Sequence, residues 1–278
     1  MDQAWGAATH SGRKRKINED SYLASSPVFV VADGMGGHER GDLASAIAVN
    51  EFSKLCQYSV ISPELIDGCF TRASGAIKNV LTNGVGGTTV CGVALALQDG
   101  APYWLVFNIG DSRAYRLNTV RGTMTQVSVD HSVVQELVDA GVVDPGEVSH
   151  HKDRHVITRA LETVTDPEPD YWMIPIEGGD QILLCSDGLC DELEDSEIKE
   201  IWSAASTPQA AADALVAAAV EAGGRDNVTV VVVSAQVVGV AASHIQDKTG
   251  TVTTVDEEPM NAELQDSLAH TTPRHVRD

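Results

Sequence analysis

ILLCSDGLCDE (Ile182–Glu192) runs an apolar, strand-like stretch into an aspartate, Asp187, and at once into a turn signal. Working outward, the same design recurs. FVVADGMGG (Phe29–Gly37) ends its strand on Asp33, WLVFNIGDSRAY (Trp104–Tyr115) carries Asp111, and RDNVTVVVVS (Arg225–Ser234) places Asp226 ahead of its strand. Asp-Gly after a strand is also a common turn signature that needs no ligand to explain it. Four such aspartates together, in surroundings richer in glycine than a two-residue turn requires, favour convergence of carboxylates on one place. Asp191 stands four residues after Asp187, so a helical turn beginning there would bring a further acid back to it. Oxygen-only ligation suits Mg²⁺ or Mn²⁺ rather than zinc.

The 278 residues carry 40 acidic against 19 basic side chains, a net charge of −21, and 43% are apolar. The apolar share is enough for a substantial core. The charge argues against binding to nucleic acid or to an anionic membrane, where affinity rests on Lys and Arg. Five cysteines (Cys56, Cys69, Cys91, Cys185, Cys190) lack a C-x-x-C pair and read as free, buried thiols of a reducing compartment. MDQAWGAATHSGRKRK, residues 1–16, has no apolar segment of signal-peptide length, and no window approaches a membrane span. A cytoplasmic location is expected.

Apolar residues at helical spacing predict helices over 42–56 and over 63–80, the latter with Pro63 in its first turn. GGTTVCGVALAL (Gly86–Leu97) and APYWLVFNIG (Ala101–Gly110), separated by Gln98-Asp99-Gly100, predict a β-hairpin. A short helix over 131–140 and a polar, histidine-rich stretch to about residue 157 read as a flap over the sheet. Strands are expected over 171–176, 181–186 and 228–233, and helices over 196–204 and 208–222. This order of strands, helix pair, strands and helix pair predicts an α+β fold with two sheets and helices outside. Residues 1–238 read as one domain, and 239–278, polar and without either period, as a disordered tail.

In chain order, RKINED (Arg15–Asp20), VADGMGGH (Val31–His38), GGTT (Gly86–Thr89), GDSRAYR (Gly110–Arg116), DHS (Asp130–Ser132), ITRAL (Ile157–Leu161), SDGLCDEL (Ser186–Leu193) and RDNVTVVVV (Arg225–Val233) resemble the motif series of the PP2C, or PPM, family of metal-dependent serine/threonine protein phosphatases, in its bacterial form. The match spans roughly residues 5–236. The resemblance implies a central antiparallel β-sandwich flanked by pairs of α-helices on both sides. It implies hydrolysis of phosphoserine and phosphothreonine in proteins, with phosphoprotein substrates and a cognate Ser/Thr kinase as partners. Two Mn²⁺ or Mg²⁺ ions are implied: Asp33 would bridge them, the carbonyl of Gly34 would bind one, and Asp187 and Asp226 would hold the other. A third, weaker ion would sit on Asp111 and Asp191. Glu19 and Asp20 would orient the waters around the metals, and Arg15 would grip the substrate phosphate through its planar guanidinium. Phosphate monoesters hydrolyse extremely slowly unaided. Two metals about 3.5–4 Å apart can lower the pKa of a bridging water and clamp the displacement, so no nucleophilic side chain is needed.

Met35 stands where animal relatives have a histidine thought to protonate the leaving group, which leaves that proton to water. His38 reads as a structural hydrogen-bonder. Glu162 follows Arg159-Ala160-Leu161 where bacterial relatives have glycine; a positive φ there would make glutamate costly. His131, His150, His151 and His155 have no cysteine or acid at zinc-ligand spacing and are expected to lie exposed on the flap. Two other functions fit the same fold. One is a catalytically silent phosphoprotein-binding relative, against which the retention of Asp33, Asp187 and Asp226 weighs; the other is a phosphatase of the branch that acts on anti-sigma antagonists. In the tail, Thr253 and Asp256 have the spacing favoured by forkhead-associated phosphothreonine readers, and a solvating linker accounts for the same residues.

Overall fold

The computed structural model describes residues 2–36, 40–81, 86–162 and 166–236. The chain opens with β1 (Asp2–His10), β2 (Ser21–Ser25), β3 (Val28–Ala32) and the two-residue β4 (Gly34–Met35), then the helices α1 (Gly41–Ser53) and α2 (Pro63–Val80). Next come β5 (Gly87–Thr88), β6 (Val90–Gln98), β7 (Ala101–Ile109), β8 (Arg113–Asn118), β9 (Thr123–Gln126) and the short α3 (Val133–Asp139). The remainder comprises β10 (Leu161–Glu162), β11 (Asp170–Pro175), β12 (Asp180–Cys185), the single turn α4 (Asp187–Cys190), α5 (Asp195–Ala204), α6 (Pro208–Ala222) and β13 (Val228–Gln236).

Two antiparallel five-stranded sheets have the orders β1-β13-β12-β8-β9 and β11-β7-β6-β3-β2. The valine runs decide how they stack. Along β13, Val231, Val233 and Ala235 share a core with Phe29, Val31, Val93, Trp104 and Val106 of the other sheet. Val228, Val230 and Val232 share a different core with Trp202 of α5 and Leu215 and Ala219 of α6. β3 behaves the same way on its side, sending Val28, Val30 and Ala32 to Ala48 and Phe52 of α1 and Phe70 of α2. Successive strand residues face opposite ways, so a run apolar at every position suits a strand covered on both faces. The result is the expected helix–sheet–sheet–helix sandwich of the α+β class.

Both long amphipathic helices begin as anticipated. Pro63 and Pro208 occupy first-turn positions where a missing N–H is harmless, and Thr207 Oγ1 caps α6 by accepting from Ala210 N at 3.1 Å. The helix expected to reach Cys56 instead ends at Ser53 and continues as a 3₁₀ turn, Lys54–Gln57. The hairpin loop is tighter than expected: Gln98 pairs with Ala101, and the turn is made by Asp99 (φ 53°) and Gly100 (φ 80°) alone, the two positive angles of a type I′ turn.

Other features of the sheets also depart from the sequence reading. β1, to which no strand was assigned, pairs along its whole length with β13, from Asp2 opposite Gln236 to His10 opposite Val228. A small third sheet, β10-β5-β4, ties the segment after Asp33 to the segment beneath the flap. Glu162 lies in it opposite Gly87 and is not among the non-glycine residues with positive φ, so the anticipated backbone cost does not arise.

The flap is pinned at both ends by the Ser132–Ile157 bridge and by Thr158 N donating to His131 O at 2.8 Å. His131 is not exposed: it is 2% accessible. Its Nδ1 accepts from Gly110 N at 3.1 Å, which leaves the ring proton on Nε2, 3.1 Å from Asp170 Oδ2. Arg159 also grips Asp170 through both terminal nitrogens. Burial opposes the charge of Asp170, but the bonds from His131 and Arg159 hold its carboxyl down at about 2. We expect Asp170→Asn to lower stability by about 1–3 kcal/mol at neutral pH. A depressed carboxylate stabilises fully above its unfolded value, about 3.9, and the contribution is lost as pH falls through about 2. Urea midpoints of the two proteins should therefore converge between those pH values. His38 and the tail, with Thr253 and Asp256, lie outside the described residues.

Candidate active site

β3 belongs to one sheet and β12 and β13 to the other, yet their aspartates meet. Asp33, Asp187, Asp226 and Asp111 line one cavity of about 510 Å³ together with Glu19, Gly34 and Asp191. The glycine after each of the first two aspartates is not a turn glycine, since neither Gly34 nor Gly188 has a positive φ. A Cβ on Gly34 would lie 2.2 Å from Gly41 O and 2.6 Å from Glu19 O, and one on Gly188 would lie 1.9 Å from Asn227 O. Each Asp-Gly therefore marks close approach of backbones around the site, which removes the plain hairpin reading. α4 supplies the expected helical turn, with Asp191 N donating to Asp187 O at 2.9 Å. The main chain of Asp33 is clamped by Thr89, whose N donates to Asp33 O at 2.9 Å and whose Oγ1 accepts from Asp33 N at 3.0 Å.

The basic N-terminal loop is strapped to the same place by Asn227. Its Oδ1 accepts from Glu19 N at 2.8 Å, and its Nδ2 donates to Ser11 O at 3.1 Å and Ile17 O at 2.9 Å. Asp20 is held beside the β12 end by Ser186 Oγ at 2.8 Å and Thr229 Oγ1 at 2.7 Å, both on its Oδ2. Arg15 reaches the rim of the cavity, and its Nη2 donates to Asp226 Oδ2 at 2.6 Å. Arg15 is thus anchored to a site aspartate rather than lying among the solvated bases beside it.

So many carboxylates in one cavity resist ionisation. Burial, then the neighbouring charges of Asp20 and Asp187, push Asp33 well above the ordinary range; burial, then Asp111 and Asp191, do the same to Asp187. Burial raises Asp111 to about 7 and Asp20 to about 6. Asp20 Oδ1 is buried without a hydrogen-bond partner. An all-oxygen set of mutually repelling acids with an orphaned buried oxygen fits hard divalent cations. Protons compete for the same oxygens: the native metal-free protein binds more of them than the unfolded chain between about pH 4 and 7, so its stability falls as pH rises across that window. Mn²⁺ should accordingly raise the melting temperature more at pH 8 than at pH 5.5, at roughly 2–4 °C per kcal/mol for a domain of this size. A pH-independent shift in a calorimetric scan would contradict this.

One cluster escaped the sequence reading. Ligand atoms of His155, Asp187 and Asp191 lie within 4.8 Å of one another, with His155 Nδ1 3.5 Å from Asp191 Oδ2. The acid that spacing along the flap did not reveal comes from α4. Arg154 and Arg225 also line the cavity; Arg225 is bound to Glu192 and to the carbonyl of Asp191.

A two-sheet sandwich faced by helices, with oxygen-rich acids gathered at one end, defines the class of metal-dependent protein phosphatases. The chain belongs to the protein phosphatase 2C family, whose model matches residues 9–220. It is 32% identical to the serine/threonine phosphatase stp of Listeria innocua, over 81% of this chain and 93% of that one. The PPM Ser-Thr phosphatase MsPP from Mycobacterium smegmatis, solved in complex with cacodylate, matches with a TM-score of 0.76 and 35% identity, covering 84% of this chain and 98% of the other. The catalytic domain of the serine/threonine protein phosphatase PstP, solved with two manganese ions, matches with a TM-score of 0.74 and 33% identity, over 84% and 97% of the two chains.

Proposed function

We propose that this chain hydrolyses phosphoserine and phosphothreonine in proteins, with two Mn²⁺ or Mg²⁺ ions held by Asp33, the carbonyl of Gly34, Asp187 and Asp226. The observation that carries the reading is the convergence of these groups on one cavity in a chain of this family. Bound there, the cations would supply an activated water at neutral pH and neutralise charge on the phosphoryl oxygens. Asp111 and Asp191 would hold a third, weaker ion. Glu19, on the cavity wall, and Asp20, fixed by Ser186 and Thr229, would orient water around the cations. Arg15 would bind the substrate phosphate: Asp226 occupies one terminal nitrogen and so aims the planar fork at the cavity rim. Met35 lines the same wall and has no proton to give, so water is left to protonate the leaving alkoxide.

The partners are phosphoproteins and the Ser/Thr kinase that this activity opposes, and the location is the cytoplasm. Five free cysteines support the location, and no helix among the described residues is long and apolar enough to cross a membrane. A forkhead-associated domain reading phosphorylated Thr253 is a further partner; mass spectrometry after co-expression with the kinase would reject it if Thr253 stays unmodified.

The test is phosphate release from a phosphothreonine peptide by metal-stripped protein. Release is expected on adding Mn²⁺ and none without it, and Arg15→Ala should raise KM roughly tenfold, the loss of a charge-assisted hydrogen bond. Folded protein that binds the peptide at any Mn²⁺ concentration without cleaving it would instead establish the silent phosphoprotein-binding relative.

A further inference from the structure

Two thiols bracket Asp187 and have no part in the chemistry above. Cys185 ends β12 and is fully buried. Cys190 ends α4, is partly exposed, and opens on a second cavity, of about 480 Å³, that also reaches Asp111, Asp187 and Asp191. Their Sγ atoms lie 3.6 Å apart. Tyr115 Oη, which donates to Asp195 Oδ1 at 3.0 Å, sits 3.5 Å from Cys190 Sγ and seats that thiol from its other side.

We propose that Cys185 and Cys190 are an oxidation site, closed to a disulfide by hydrogen peroxide, and that closure pulls Asp187 and Asp191 out of place. The second half rests on the metal reading given above. Cys190 reacts first because it faces the cavity: its sulfur takes one oxygen from the peroxide as the O–O bond breaks, giving a sulfenic acid and water. The Cys185 sulfur then attacks the Cys190 sulfur, the S–S bond forms as the S–O bond breaks, and a second water leaves. In sum two thiols and one peroxide give one disulfide and two waters. A disulfide needs its sulfurs about 2.05 Å apart, so the pair must close by about 1.5 Å. Cys185 is held in the sheet between Val230 and Arg113, and the element that yields is α4, a single turn. α4 begins with Asp187 and is capped by Asp191, and with Asn227 O already against Gly188 it has no slack on that side.

The experiment treats the full chain with hydrogen peroxide, maps peptides under non-reducing conditions, and titrates Mn²⁺ calorimetrically before oxidation, after it, and after dithiothreitol. A Cys185–Cys190 cross-linked peptide is expected, with Mn²⁺ affinity lowered roughly 10- to 100-fold and restored by reduction. Cys185→Ser should show neither the cross-link nor the reversible loss. Absence of the cross-link in the wild-type chain, or a cross-link that leaves Mn²⁺ affinity unchanged, overturns the proposal. Reduced, untreated protein that binds no Mn²⁺ overturns the metal reading itself, and the proposed consequence of oxidation with it.

Discussion

Asp187→Asn is expected to leave a folded protein whose phosphatase activity at saturating Mn²⁺ is reduced roughly a thousandfold. The substitution keeps the size of the side chain and its place at the start of α4 and removes one negative charge from the group that would hold a cation. Losing about 4 kcal/mol of transition-state stabilisation corresponds to that factor. The same change removes an acid whose ionisation is opposed by burial, then by Asp111, Asp191, Asp226 and Asp20, so the metal-free fold no longer has to hold it protonated against the unfolded chain. Without metal, therefore, the variant should melt above the wild type while being nearly inactive. Initial rates on a phosphothreonine peptide and paired thermal scans separate the two effects. A variant that keeps a tenth of the activity, or that melts well below the wild type without metal, would refute the role given to Asp187.

Gly188→Ala is expected to have the largest structural effect of any single methyl group added near the site. The new Cβ would lie 1.9 Å from Asn227 O, a backbone atom that cannot rotate away. Asn227 is itself tied to Ser11, Ile17 and Glu19, so relief must come from tilting α4 or parting β13 from the N-terminal loop. Overpacking of this kind costs about 3 kcal/mol or more, which places the drop in melting temperature on the order of 10 °C. Mn²⁺ affinity should fall with it, because both candidate ligands on α4 move. Gly75→Ala is the control: nothing lies within 4 Å of a Cβ there, and in the middle of α2 alanine should stabilise by about 0.5–1 kcal/mol. Equal melting temperatures for Gly188→Ala and the wild type would mean that the contact yields at no cost.

The residues that converge in space were legible because each carries a local signature. An apolar run followed by aspartate and glycine reads as a strand end, as at Asp33 and Asp187, and ordered motifs linked these two to Asp111 and Asp226. Helix α2 was equally clear, since Pro63 and the spacing of Ile66, Phe70, Ala73 and Ile77 set both its start and its buried face. β1 was hidden because DQAWGAATH has only one large apolar residue, Trp5, the rest being alanine, glycine and polar residues; its pairing is decided by β13, far away in the chain. His131 misled for a related reason. A histidine in a polar stretch reads as exposed until the fold places Gly110 and Asp170 on its two nitrogens. His155 and Asp191, and Cys185 and Cys190, depend on how the flap and α4 are folded, and spacing alone does not contain that information.

The register of β1 against β13 has a practical side. Asp2 lies opposite Gln236, whereas His10 lies opposite Val228, two residues from Asp226. Residues 2 and 236 therefore lie side by side, and a nine-residue strand separates them from the acidic cavity. At about 3.4 Å per residue that is a distance near 30 Å. A fluorophore or surface tether attached at residue 2 or 236 would stand that far from the acidic cavity. Donor and acceptor dyes placed one at each of these residues would report the zipping of the outermost strand without touching the chemistry.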